Sequence, residues 1–289
     1  MQRLLRPLSP ARPFAAIALA ALLAACGGGG SDSQDNGAAA GSGQDSSGAT
    51  GGAPAPANQD TGSVSTGFVA SVSGTQAYFY QAIGMQSFGL LKTFTQSSSG
   101  AMTALNDITL TGPAARTQDI SGDAFSTQGR WTQGAVNHAG SSRVLAGNEA
   151  AHYVAFNRHN AFPDTGTFQC DAGRFTTPTY AGGTQVSASA QTGTASSSGA
   201  TLRFGSTGAV VSASYTVQAG TASDSRSLNV TIPSPTSTSI QGAYVGGNQG
   251  SAWSVGDGGN GTYLIVGAYR SMLSNAAIYQ GVVTLRCRS

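Results

Sequence analysis

Three cysteines, three histidines and a single glutamate are among the scarcest chemistry-bearing side chains in this 289-residue chain. After Cys26, only Cys170 and Cys287 carry sulfur that can be oxidised to a disulfide. Neither lies in a Cys-x-x-Cys pair or at a helix start, the settings that lower a thiol pKa for catalysis, so a structural disulfide is the expected use. A Cys170–Cys287 bond would close a loop of about 118 residues, and the chain-entropy model assigns such a closure roughly 4–5 kcal/mol. His138, His152 and His159 are the only histidines and Glu149 the only glutamate. Glu149, His152 and His159 are near one another in sequence, yet their spacing fits no helical ligand motif. Surface or half-buried histidines are the simpler reading, with no metal and no cofactor expected. Asp257 and Asn260 stand in the run Gly256-Asp257-Gly258-Gly259-Asn260-Gly261, which is turn chemistry rather than the acidic loop calcium prefers. Asp164 and Asp171 lie near strands, but nothing marks them as a hydrolytic carboxylate pair.

Ser254 lies within Ala252-Trp253-Ser254-Val255-Gly256, a spacing that resembles the nucleophile elbow of serine hydrolases. That elbow needs a strand, a sharp turn and a following helix. Here a glycine-rich hairpin turn follows instead, so no catalytic residue is assigned.

The N-terminus determines where the chain works. Arg3, Arg6 and Arg12 precede an apolar run, Phe14 to Ala25, too short for the roughly 20 residues a spanning helix requires. Leu23-Ala24-Ala25-Cys26 resembles the lipobox of bacterial lipoproteins. The resemblance implies that 1–25 are a signal peptide, that cleavage precedes Cys26, and that the cysteine is acylated. Two or more acyl chains hold a protein stably at roughly 0.8 kcal/mol per buried methylene. Gly27, where an Asp would favour the inner membrane, implies the outer membrane. The alternative is an ordinary secretory signal that happens to contain a cysteine. Residues 26–67 are nearly all Gly, Ser, Ala, Gln, Asp, Asn and Pro, a composition that cannot offset its ordering entropy. A disordered tether with an r.m.s. reach of about 35 Å is expected there.

Removing the three signal-peptide arginines from the 14 basic residues leaves 11 against 12 acidic ones. The chain beyond the tether also lacks Asp32, Asp35, Asp45 and Asp60, so 11 basic residues face eight acidic ones. That balance is too weak and scattered for nucleic-acid binding.

The remaining residues read as all-β, an antiparallel barrel or sandwich. Val211, Ala213, Tyr215 and Val217 alternate with Ser212, Ser214 and Thr216, and Leu228, Val230 and Ile232 alternate with Asn229 and Thr231. Val283, Leu285 and Cys287 share one face of a final strand, with Thr284, Arg286 and Arg288 on a wet face opposite. His152, Val154, Phe156 and Arg158 share one parity, a face of changing character. Ala77-Tyr78-Phe79-Tyr80 is apolar enough for a buried strand. A polar break at 121–129 suggests a small β subdomain over 68–128 and a main domain over 129–289. Gly129-Arg130-Trp131 is similar to the Gly-x-Trp of calycin-type barrels, in which a late arginine covers the tryptophan; Arg286 would be that arginine. The alternative is a core tryptophan in any β fold. The layout is also similar to betaproteobacterial surface lipoproteins that capture host proteins with paired β domains behind a Gly-rich tether. The expected function is therefore non-enzymatic: a lipoprotein anchored in the outer membrane that binds a protein or small ligand. Alternatives are an envelope-assembly role and, behind it, a lipid-anchored hydrolase. Tyr78, Tyr80, Tyr244, Tyr263, Tyr269 and Tyr279 are candidate contact residues, most of them expected in the core.

Overall fold

The computed structural model describes residues 60–72, 74–244 and 246–289. The expected signal peptide, Cys26 and the expected tether up to residue 59 lie outside the described residues. What is described is built of antiparallel strands, with one short 3-10 turn, Ala188–Ala190, and no helix long and apolar enough to cross a membrane.

The first sheet comprises β1 (Gln76–Ala82), β2 (Met85–Leu90), β3 (Phe94–Gln96), β4 (Met102–Leu105), β5 (Ile108–Gly122), β6 (Ser126–His138), β7 (Ser141–Val144) and β8 (Ala151–Asn157). Its order is β2-β1-β8-β6-β5-β4-β3, with β7 hairpinned onto β6. Residues 91–93 carry the chain from one edge strand to the other, and Asn106 fixes this link by accepting from Lys92 N at 2.8 Å and donating to Leu90 O at 2.9 Å. The two edges therefore meet at one end, and the sheet curls into a half-barrel. The expected division at 128/129 falls inside β6, a continuous strand laddered to both β5 and β8.

The second sheet comprises β9 (Gly166–Cys170), β10 (Arg174–Phe175), β11 (Thr179–Gly183), β12 (Thr194–Gly205), β13 (Gly208–Ala219), β14 (Ala222–Ile232), β15 (Ser239–Gly242), β16 (Gly250–Gly259), β17 (Thr262–Met272) and β18 (Ala277–Arg288). It runs β14-β13-β12-β9-β18-β17-β16-β15, with β10 and β11 also on β18. β14 comes against β15 and β16, making a nearly closed barrel. The β16–β17 turn is Asn260-Gly261, both at positive φ (51° and 72°), the backbone a two-residue hairpin of type I′ needs. Cys170 and Cys287 are direct cross-strand neighbours joined by a disulfide, which fastens β9 to the last strand.

Alternation explains three apolar layers. Inside the barrel lie the odd residues of β13, β16, β17 and β18 with the even residues of β12 and β14, including Val211, Tyr215, Trp253, Val255, Ile265, Tyr269 and Leu285. Inside the half-barrel lie Tyr78, Tyr80, Leu105, Ile108, Trp131 and Tyr153. Between the sheets, Ala77, Phe79, Val154 and Phe156 pack on Ala252, Leu264, Val266, Ala268 and Val282. Fully burying each of the larger of these side chains contributes about 1.5–3 kcal/mol.

Three strands near the interface, β1, β8 and β18, thus have both faces covered, which corrects the wet face expected for Thr284 on β18: this residue is buried, and its hydroxyl donates to Gln128 Oε1 at 3.0 Å. On the far side of the barrel the outer faces do meet water. There the hydroxyls form cross-strand pairs, Ser214 with Ser227 at 3.0 Å and Thr216 with Ser225 at 2.9 Å.

The chain from Asp60 is ordered, so the last part of the segment that composition assigns to the tether belongs to the β domain. Asp60 accepts from Thr117 N and Ser99 Oγ, each at 2.8 Å. Thr61 N, Ser65 N and Val69 N then donate to Thr117 O, Gly122 O and Ala124 O at 3.0–3.1 Å. A polar, glycine-containing segment can order in this way because its backbone is satisfied by β5 rather than by its own packing.

Candidate functional site

The half-barrel carries an open recess at one end. Two tight hairpins form its mouth: Ile83-Gly84 between β1 and β2, and Ala139-Gly140 between β6 and β7, the latter pair at φ 49° and 79°. The cavity measures about 250 Å³ and is predominantly apolar, with Ala82, Met85, Val136 and Leu145 among its walls. Arg143 straps the two hairpins together: Nη1 donates to Ile83 O at 3.0 Å and Nη2 to Glu149 Oε1 at 2.7 Å. At the rim His138 Nε2 is 3.4 Å from Asp107 Oδ2.

Tyr80 lines this recess. Its ring is fully buried in the half-barrel core and packs against Trp131, with centroids 5.6 Å apart. Its hydroxyl has no hydrogen-bond partner among the described residues. Burial pushes the phenol pKa well up, partly opposed by the Arg143 charge, so the group is a neutral O–H at any physiological pH.

Behind Tyr80, β6 and β8 supply the support. Gly129 pairs with Tyr153, and a Cβ on that glycine would sit 2.5 Å from the Tyr153 hydroxyl oxygen, so only glycine leaves room for the ring. Tyr153 Oη accepts from Met102 N at 2.9 Å, and Trp131 Nε1 donates to Met102 O at 2.7 Å. This accounts for Gly129 and Trp131 without a covering arginine. Arg286 instead sits on the outer face of β18, donating to Gly258 O and Thr262 Oγ1 and pairing with Asp123 in the β5–β6 turn. Trp131 and Arg286, expected as one closing pair, serve two different places.

The polar groups of the inter-sheet layer are a second concentration of chemistry. Across β1, β8 and β6 the register sets Gln81, His152 and Arg130 in one row. His152 is completely buried, its Nδ1 2.8 Å from Thr176 Oγ1 and its Nε2 2.7 Å from Thr179 Oγ1. Burial, helped by the Arg130 charge and opposed by Asp119, lowers its pKa to about 3. Asp119 adopts φ 57° where the β5–β6 register shifts, a bulge that turns its carboxylate toward Arg130 Nε and Thr177 N, both at 2.8 Å. Burial pushes that carboxyl pKa up, but Arg130 and the Thr177 hydrogen bonds outweigh it and hold the group below its ordinary value. Gln81 Nε2 donates to Tyr269 O at 3.0 Å and to Gln280 Oε1 at 3.2 Å. These groups join the sheets. They line no shared reaction space with the recess.

The other candidates are dispersed. Ser254 lies mid-strand in β16, buried, donating to Ser237 O at 3.2 Å, so no elbow forms. His159 stacks on Tyr263 at 4.8 Å, with Asp257 3.9 Å from its Nε2, while Glu149 is engaged by Arg143. Among the described residues no group of three metal-ligand side chains converges. Asp164 is exposed, and Asp171 accepts from Gly173 N at 3.0 Å and Arg286 N at 2.9 Å as a turn residue. Tyr244, Tyr269 and Tyr279 are buried, and Tyr78 shares a 2.7 Å hydrogen bond with Ser87. Of the six tyrosines only Tyr80 reaches the recess. Met85, Val136 and Arg143 drew no attention in the sequence; the signal available was the Ala139-Gly140 turn between two alternating runs. Comparison with family models, with curated proteins and with solved structures finds no match to this chain.

Proposed function

We propose that this chain is an outer-membrane lipoprotein, acylated on Cys26, whose two packed sheets present a binding site to a small ligand or a protein. The observation that carries the binding reading is the open apolar recess of about 250 Å³, held between two hairpins by the Arg143 strap and containing a buried hydroxyl with no partner. Pockets of this kind, apolar walls with few polar groups, are the usual form of small-molecule sites. The lipobox and the basic, short apolar N-terminus support the anchored location. Binding rather than turnover fits the separation of Ser254, His152 and the acids into unrelated surroundings.

The location is tested by fractionating cells that make the natural protein and the Cys26→Ser variant, with external protease applied to intact cells. Membrane partitioning that is lost in Cys26→Ser, with an acylated mass on the natural protein, is the expected result. A variant that still sediments with membranes, together with an unmodified mass on the natural protein, removes the anchor from the reading.

A further inference from the structure

We propose that the recess between the Ile83-Gly84 and Ala139-Gly140 hairpins takes a neutral, largely apolar molecule of about ten non-hydrogen atoms that carries one hydrogen-bonding group for the Tyr80 hydroxyl. The inference rests on the binding reading above and names its ligand class.

Size comes from volume. A dry cavity of about 150 Å³ holds benzene, and this one measures about 250 Å³. A fused bicycle or a branched chain of similar bulk fits, whereas a peptide or a large cofactor does not. The apolar character comes from the walls, where Ala82, Met85, Val136 and Leu145 offer no polar side-chain group.

Neutrality comes from the rim. Its arginine is already matched, Arg143 to Glu149 at 2.7 Å, and His138 faces Asp107 at 3.4 Å. An anionic ligand would have to displace an acid from its partner, and a cationic one would meet Arg143. The buried polar demand comes from Tyr80, since Ser141 and Ser142 in the lining are open to water. Buried hydroxyls are ordinarily hydrogen-bonded, and an orphan in this wall marks the place a ligand atom or an ordered water would occupy. Tyr80 and Arg143 line the same recess, so a ligand there meets both the phenol side chain and the strapped guanidinium.

The test uses the full chain with Cys26→Ser, which removes the acylated residue and with it the need for detergent. 2-Naphthol, naphthalene and the anion 1-anilinonaphthalene-8-sulfonate are titrated by calorimetry and by NMR shift mapping. The expected result is saturable 2-naphthol binding with shifts at Ala82, Met85 and Val136. In Tyr80→Phe, 2-naphthol binding should weaken about five- to tenfold while naphthalene stays within about twofold. Ala82→Phe, which fills the recess, should abolish both in a protein whose NMR spectrum remains folded. Equal loss of naphthalene and 2-naphthol in Tyr80→Phe, or tighter binding of the anion than of 2-naphthol, overturns the ligand class while leaving the recess as a binding site. No shift at the recess with any probe overturns the proposal outright and makes it a water-filled hollow. Release of Cys26→Ser from membranes is read separately, so a failed anchor and a failed ligand class are told apart.

Discussion

Acidification should weaken this protein through His152, and the size of the effect can be worked from its surroundings. The imidazole is fully enclosed between the sheets, flanked in register by Gln81 and Arg130 and bonded to two threonine hydroxyls, with Asp119 the one acid acting on it. Its pKa is about 3 in the fold against 6.5 when unfolded. Between those values the unfolded chain binds a proton that the native chain refuses, so stability falls as pH falls, by about 1.4 kcal/mol per pH unit once well below 6.5. From pH 7.5 to pH 5 the accumulated loss is about 2 kcal/mol. The assay is urea unfolding of the natural protein and of His152→Gln at both pH values, with the disulfide intact. The comparison with His152→Gln subtracts what the rest of the chain contributes to the pH dependence. The stability advantage of the natural protein over His152→Gln should shrink by about 2 kcal/mol on acidification. An advantage that stays constant to within a few tenths of a kcal/mol would refute the reasoning, as would a His152 ring resonance that titrates near pH 6.

Replacing Cys170 and Cys287 together by serine should lower unfolding stability by roughly 4–5 kcal/mol, less any strain released, as read from urea midpoints; the bond spans 117 residues of sequence. A Cβ on Gly267 would lie 2.3 Å from the Trp253 ring, so Gly267→Ala should cost about 1–3 kcal/mol, whereas Gly205→Ala, with nothing within 4 Å, should change thermal stability by no more than about 0.5 kcal/mol. Asp119→Asn removes the carboxylate that receives both Arg130 and Thr177 N, and should cost about 1–3 kcal/mol by chemical denaturation, because Arg130 stays mostly buried beside it.

How far the chain could be read depended on what each strand face touches. β13 and β14 alternate cleanly because one face fills the barrel and the other meets water, so their pattern is that of an isolated antiparallel sheet. β1 and β8 are buried on both faces, and the information that a second sheet covers them lies in other strands. The face bearing His152, Val154 and Phe156 changed character along its length because apolar contacts at one end give way to a threonine-lined polar plug at the other. The disulfide was legible from scarcity: two cysteines beyond Cys26 leave only one pairing. The division at 128/129 leaned on a polar break that proves to be the β5–β6 turn, and the Trp131–Arg286 pair on a three-residue pattern, which cannot report that Gly129 makes space for Tyr153 or that Asp123 draws Arg286 elsewhere. The recess escaped notice because its walls come from separate hairpins, brought together only by the ladders through β8.

The lacing of residues 60–69 along β5 has a mechanical consequence. Its backbone bonds to Thr117, Ile120, Gly122 and Ala124 follow one another in the same order along both partners. A pull directed across the strip through the chain before Asp60 loads them one after another, so they open in turn as far as Phe68, whose buried ring packs on Phe94 at 5.3 Å. Freeing residues 60–67 releases about 26 Å of chain, less the distance they already span, before the buried Phe68 of the half-barrel core is disturbed. The strip is thus a fuse in series with the domain, letting out slack under drag while the hairpins around Tyr80 keep their shape.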